Sequence, residues 1–506
     1  MILKVEGNVN LYYVQTLCMV FFPGSKFGEN ELPGVGVPEV TVNVYKEDDG
    51  SDTAFVSMKL NDRICEATET VSIDEDLTLS EHAHVAVGRA VFAAGKELLG
   101  HIPPWGILTG VRPAKIASNL LSEGRGVLKT KKILRDEYFL NHQKAALAVS
   151  VATTEAKLLK KIDKDTCSLY ISIPFCPSRC SYCSFVSYTT PRLLSLIDDY
   201  LDALLDEIDE TFEVINAVGF RVNTVYIGGG TPTTLNPEQL RKLLTKVNEK
   251  LDVSSLIEFT LEAGRPDTIT KEKLDVAKEL GVTRISVNPQ TLNDDILREI
   301  GRNHTRQDFF EAYRIAKESG IRDINVDLIA GLPGDDFKSF SETLDGVIQL
   351  APTNITVHTF CVKKASDVLK NNSGIYSLTG GDAAKSVAYS QLNTKFAGYK
   401  PYYMYRQKNT VGNLENVGFS IEGHEGIYNI LMMEEVQTIF AVGAGAVSKL
   451  VDSKGVGARN TRIKRISNHK YPYEYLKMAD DRKKGIDIGK KTLMEEVLEF
   501  FSETDE

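Results

Sequence analysis

From residue 168 to 361, short apolar runs alternate with longer stretches whose apolar residues recur every three or four positions. The short runs, at 169–173, 224–227, 257–261, 284–287, 324–329 and 355–360, have the length and β-branched content of buried strands. The longer stretches carry helical spacing, clearest in Leu193, Leu194, Ile197, Tyr200, Leu201, Leu204, Leu205, Ile208, Phe212 and Ile215. Asn236, Thr270 and Asn293 signal helix starts, because their side chains accept from the unpaired N–H groups of a first turn. Strand and helix in alternation predict parallel strands joined by right-handed crossovers. Six strands fall short of a closed eight-stranded barrel, so the predicted class is α/β with a partial (β/α)6 barrel. Its chemistry is expected at the carboxyl ends of the strands.

Before residue 165 the pattern changes: 40–45 and 54–60 read as strands, and 81–99, 112–121 and 141–160 as helices. This predicts an N-terminal α+β domain over 1–165, ahead of the barrel over 166–362. The segment 101–113 holds three prolines and the single Trp of the chain, and reads as a rigid, turn-rich connection. After Cys361 the periodicity loosens, and 363–506 is expected to form a C-terminal extension that covers the substrate, with an acidic helix or frayed end at 494–506.

Composition narrows the class further. A chain of 506 residues exceeds what one core supports, and 42% hydrophobic with 25% charged residues describes an ordinary globular protein. Lys and Arg total 59 against 69 acids, a formal charge of -10, which argues against a nucleic-acid partner held by a broadly basic surface. The N-terminus lacks the features of a secretory signal, and no apolar run reaches the ~18 residues a membrane helix needs, so a cytoplasmic location is expected. Seven cysteines, three of them within eight positions, speak against a disulfide framework and for a reducing compartment. Cys18, Cys65 and Cys361 read as buried small hydrophobes; Cys167 does too, but is close enough in sequence to count as a rival ligand.

Cys176, Cys180 and Cys183 follow the first barrel strand with the spacing C-x3-C-x2-C. Three thiolates can hold three irons of a [4Fe-4S] cube, where a closed electron-transfer cluster takes four. Zinc is the alternative, but its structural sites bring a second Cys or His pair, and no comparable second group is present. Polar residues then recur at the ends of successive strands. Gly228, Gly229 and Gly230 precede Thr231 after the second strand and would let backbone approach a ligand. Glu262, Gln290 and Asp327 end the third, fourth and fifth. Each alone is more often a strand-end cap or salt-bridge partner; together they form a ligand-facing rim. Arg302 is a helix-terminus cation or a carboxylate binder.

This cysteine spacing, with Tyr182 before the third thiol, resembles the radical S-adenosylmethionine (SAM) superfamily. The resemblance implies that the open iron chelates the methionine moiety of SAM, and that one electron yields a 5'-deoxyadenosyl radical. The wider match over 168–361 is similar to the oxygen-independent coproporphyrinogen III oxidase (coproporphyrinogen dehydrogenase) group. Segments 103–113 and 403–416 resemble its HemZ-like branch. The likeness implies a cluster on Cys176, Cys180 and Cys183, a first SAM contacted by Tyr170, Gly229 and Glu262, and a second near Tyr182, Gly230, Thr231, Gln290, Arg302 and Asp327. Two departures stand out. Phe185 occupies the place where established oxidases carry a further cysteine, and 426–431 lacks the His and Trp of the His-Asn-x-x-Tyr-Trp segment of haem-chaperone relatives.

The expected activity is that of an oxidoreductase of porphyrin and haem biosynthesis, converting two propionates of coproporphyrinogen III to vinyl groups to give protoporphyrinogen IX. Its partners would be the porphyrinogen and an electron donor such as flavodoxin or ferredoxin. Cations such as Arg302 or Arg406 would meet the substrate carboxylates, although Arg406 and Lys408 read equally as a solvated loop. His304 and His358 are candidate acids or bases, though satisfied structural histidines are commoner. No catalytic side chain is assigned. The alternatives are a haem or porphyrin chaperone that keeps the cluster domain, and a radical SAM enzyme acting on another substrate.

Overall fold

The computed structural model describes residues 1–27, 34–75, 81–110, 112–183, 185, 187–361, 380–407, 410–452, 461–485 and 491–502. Two units emerge. The first takes Met1–Thr154, Met404–Asn416 and the described part of 372–385; the second takes the remainder.

The first unit holds a four-stranded sheet in sequential order: β1 (Ile2–Glu6), β2 (Glu39–Lys46), β3 (Asp52–Leu60) and β4 (Arg63–Val71). β1 runs parallel to β2 and the other pairs are antiparallel. The helix His82–Leu99 packs on β3 and β4, and the helix Leu11–Phe21 lies against it where Gly95 leaves room for the Phe21 ring; a Cβ there would stand 2.7 Å from it. A buried polar cluster closes the unit. Glu415 accepts from Trp105 Nε1 at 2.8 Å and from the Lys144 ammonium, while the Arg406 guanidinium lies over the Trp105 ring at 5.6 Å and donates to the Leu108 carbonyl. Arg406, at 3% exposure, is therefore a buried strut rather than a solvated loop residue. Lys408 lies outside the described residues.

The second unit is built on the predicted strands: β5 (Thr166–Ile173), β6 (Arg221–Gly229), β7 (Glu258–Leu261), β8 (Arg284–Ser286), β9 (Asp323–Ala330) and β10 (Asn354–Thr359). They are parallel and adjacent in sequence order, with a helix after each of the first five. Asn236 and Thr270 cap the helices Pro237–Lys250 and Lys271–Glu279, and Asn293 caps Asp294–Glu299, as their sequence signals require. Five more strands extend the sheet: β11 (Lys400–Arg406), β12 (Glu415–Ser420), β13 (Ile439–Val442), β14 (Val447–Asp452) and β15 (Arg462–Ser467). The order is β11-β12-β10-β9-β8-β7-β6-β5-β13-β14-β15, so the sheet stays open as a partial barrel. β13 adds a seventh parallel strand against β5, from the stretch after Cys361 where the periodicity loosens.

Period-two alternation divides the sheet into an apolar face against the helices and a polar one. Leu169, Ile171, Val225, Ile227, Phe259, Leu261, Ile285, Val326 and Leu328 are fully buried. Their alternates are Tyr170, Tyr226, Glu258, Arg284, Asp323, Asn325 and Asp327. At the amino ends of the strands Arg284 pairs with Glu258 and Asp323 at 3.5 and 3.2 Å and donates to the His424 and Glu425 carbonyls, and His424 Nδ1 meets Asp323 at 2.5 Å. The segment leading into the helix Ile427–Glu434 thus closes the amino end of the barrel, and Tyr428 stacks on Tyr226 at 4.5 Å. The opposite, carboxyl end carries the cysteine loop.

Candidate radical SAM site

The loop that follows β5 is pinned from several sides. Phe175 forms a parallel bridge with Tyr188, Cys176 N–H donates to the Tyr188 carbonyl at 3.1 Å, and Cys183 N–H donates back to Cys180 at 3.1 Å. Ser181 N–H donates to the Ile300 carbonyl, and Ser178 Oγ to that of Gly301. Cys176 and Cys180 are buried, Cys183 is half-buried, and electrostatic coupling links Cys176 to both others. Burial lifts the Cys176 thiol above its ordinary range, against the Thr231 hydroxyl at 3.2 Å and the Arg265 charge. Among the described residues no three His, Cys, Asp or Glu side chains converge on a single metal ion. Cys167 is fully buried near the amino end of β5, away from the loop, and is no ligand.

The glycines have a reason beyond ligand access. Gly229 adopts φ +111 beside Ile173, and a Cβ on Gly230 would stand 2.6 Å from the Phe175 carbonyl and 2.9 Å from Cys176 Sγ. The triplet therefore lets the cysteine loop lie directly on β6. Gly230 N–H donates to Ile173 and Thr231 N–H to Phe175, both at 2.8 Å.

The polar ends of the strands gather near this loop. Tyr170 stacks on Tyr226 at 6.1 Å, and the Tyr226 hydroxyl donates to Glu262. Burial, then the charge of Asp327, pushes the Glu262 carboxyl up to about 7. Asp327 goes the other way: burial would raise it, but His358, Asn325 and Thr356 outweigh burial and hold it below the usual range. It accepts from Asn288 at 2.8 Å and Asn325 at 2.7 Å, and His358 Nε2 stands 3.7 Å away. Gln290 takes φ +71, unusual for a residue with a side chain, held by Gln290 N–H to Asp327 and Ile329 N–H to Gln290. Arg302 is buried and donates to the Asn288 carbonyl at 2.7 Å and to Gly264. Tyr182 is half-buried beside Arg302, Cys180 and Cys183. His304 is buried with neither ring nitrogen hydrogen-bonded; burial and Arg302 lower its pKa to about 4, so it is neutral.

The site fits the groups its cysteines imply. Gln290 Oε1 and Arg302 Nε are buried without a protein partner, which is the signature of a place completed by a ligand. Sequence reasoning missed Arg265, which packs on the cysteine loop, as well as Tyr226, Asn288 and Asn325. The strict polar-apolar alternation of β6 to β9 was the signal for the last three; Arg265, in the turn after Glu262, had none.

A sequence model of the Radical SAM superfamily matches residues 170–347. Over 376 residues the chain is 39% identical to the oxygen-independent coproporphyrinogen-III oxidase-like protein HemZ of Bacillus subtilis, covering 73% of this chain and 74% of that protein. It is 40% identical over 197 residues to the heme chaperone HemW of the same organism, covering 39% of this chain and 51% of HemW. The HemW of Lactococcus lactis is 29% identical over 335 residues, or 65% and 80% of the two chains. Among solved structures, coproporphyrinogen III oxidase (HemN) from Escherichia coli aligns over 65% of this chain and 72% of its own, at 22% identity and a TM-score of 0.48. The chain belongs to the radical SAM superfamily and, within it, to the oxygen-independent coproporphyrinogen-III oxidase-like family. The superfamily uses a [4Fe-4S] cluster and SAM. Among the described residues no helix is long and apolar enough to cross a membrane.

Proposed function

We propose that this chain oxidatively decarboxylates two propionates of coproporphyrinogen III to vinyl groups. The observation that carries the reading is the 376-residue match to an oxidase-like relative, which extends well beyond the superfamily region at 170–347. Cys176, Cys180 and Cys183 would hold the cluster. Tyr170, Gly229 and Glu262 would receive one SAM, and Tyr182, Gly230, Thr231, Gln290, Arg302 and Asp327 a second. Bound together, cluster and SAM supply hydrogen-atom abstraction. The protein supplies position and dryness: the polar interior orients the bound groups, and the plug of 421–434 keeps water from the amino end. An ionised Glu262 offers its carboxylate to an ammonium, while the buried Arg302 fork suits a carboxylate. The substrate would lose a hydrogen atom from the carbon next to the ring, then carbon dioxide and one electron, the electron passing to a separate one-electron acceptor. The chain beyond 363 would cover the substrate, and a flavodoxin or ferredoxin would reduce the cluster.

Anaerobic reconstitution with iron, sulfide, SAM, a reductant and coproporphyrinogen III tests the reading. Harderoporphyrinogen followed by protoporphyrinogen IX is the expected result. A fully clustered protein that forms neither sinks it. The matches to heme chaperones support a second reading, a haem or porphyrin carrier. Stoichiometric haem binding without decarboxylation would select that reading, and deoxyadenosine release stimulated only by another metabolite would select a different substrate.

A further inference from the structure

Arg265 lies in the turn after β7 and is 3% exposed. Its guanidinium is fixed on two sides. Nε and Nη2 donate to the two carboxylate oxygens of Asp267, both at 3.0 Å. Nη1 donates to the Ser178 carbonyl at 3.0 Å and points at Cys180 Sγ at 3.9 Å. The Asp267 fork leaves the guanidinium one orientation, and in that orientation its other edge faces the cysteine loop.

We propose that Arg265 is a positioning residue that sets the reduction potential of the cluster, by donating toward the Cys180 sulfur and fixing a positive charge behind it. Reduction adds one negative charge to the cluster, so a buried cation nearby stabilises the reduced form more than the oxidised one. A hydrogen bond to a ligating sulfur acts in the same direction. Asp267 lies on the far side of the guanidinium from the sulfur, so it offsets the cation without cancelling it. The pair therefore makes a prediction of opposite signs. Arg265→Met should lower the potential, and Asp267→Asn, which keeps the shape and removes the negative charge, should raise it.

The test is an anaerobic redox titration of the full-length reconstituted protein without SAM, followed by electron paramagnetic resonance, with iron and sulfide measured on each variant. Arg265→Met should fall by at least tenfold in the one-electron equilibrium, about 59 mV. Arg265→Lys, which keeps the charge but not the fork, should fall between it and the parent. Loaded variants that keep the parent midpoint, shifts of one sign in both Arg265→Met and Asp267→Asn, or failure of all three to hold iron would overturn the inference. It rests on the cluster ligation proposed above. A parent chain that binds no iron and sulfide defeats that ligation, whereas a loaded parent with unmoved variants defeats this inference alone.

Discussion

Glu262 and Asp327 share one barrel interior yet shift in opposite directions: burial opposes both charges, but His358, Asn325 and Thr356 outweigh it at Asp327, whereas at Glu262 the charge of Asp327 adds to it. This has a measurable consequence for stability. The Glu262 carboxyl titrates at 4.5 when free of the fold and at about 7 within it. Between those values the folded chain holds a proton that the unfolded chain has released, so stability falls as pH rises from 4.5 to about 7 and stays lower above. The shift corresponds to about 3 kcal/mol at most. Glu262→Gln should therefore gain on the parent by up to that amount across this interval, read from urea midpoints, and parallel curves would contradict the assignment. In the first unit the direction reverses: removing a cation exposes a cost. Lys144 and Glu415 are 6% and 0% exposed, and Lys144→Met would remove the ammonium that pairs directly with this buried carboxylate. A loss of about 3–5 kcal/mol is expected in chemical denaturation followed by circular dichroism.

At the level of elements, β13 and the turn after it brace the strand that leads into the cysteine loop. Gly443 takes φ +94, its N–H donates to Glu207 at 2.7 Å, and a Cβ would stand 2.6 Å from the Ser172 carbonyl. Ala444 N–H donates to the Tyr200 hydroxyl, which itself donates to Ser172 at 2.7 Å. Tyr200 packs edge-on against Phe175, next to Cys176. Gly443→Ala should cost at least about 1–3 kcal/mol and shift the thermal midpoint down; an unchanged midpoint would mean the turn relaxes freely. These links also explain what the sequence made legible. The six central strands and their caps were readable because local patterning alone specifies a parallel repeat. β13 was not, since its four residues gain strand character only by pairing with β5 residues 271 positions away. Of the candidate site, Cys176, Cys180, Cys183 and the polar strand ends stood out through spacing. Arg265 and Arg406 did not, because burial of a cation depends on partners that no local pattern announces.

Across the whole molecule the chain returns to its first unit late, through Met404–Asn416, after building most of the second. The last strands are equally late, and removing everything beyond 438 would strip β13 from the edge of β5. Such a truncated chain is expected to aggregate rather than fold, through unpaired N–H and C=O groups of Ser168–Ile171. Recovery of a soluble, iron-loaded truncated protein would refute this. One residue offers a way to watch the two units separately. The single tryptophan of the chain, Trp105, is buried in the first unit, stacked beneath the Arg406 cation with its indole N–H on Glu415, while Cys176, Cys180 and Cys183 lie in the second. Its emission is thus a private reporter of one unit, and the visible absorption of a loaded cluster would be a private reporter of the other. Following both signals in a single denaturation would reveal whether this protein comes apart in one step or two.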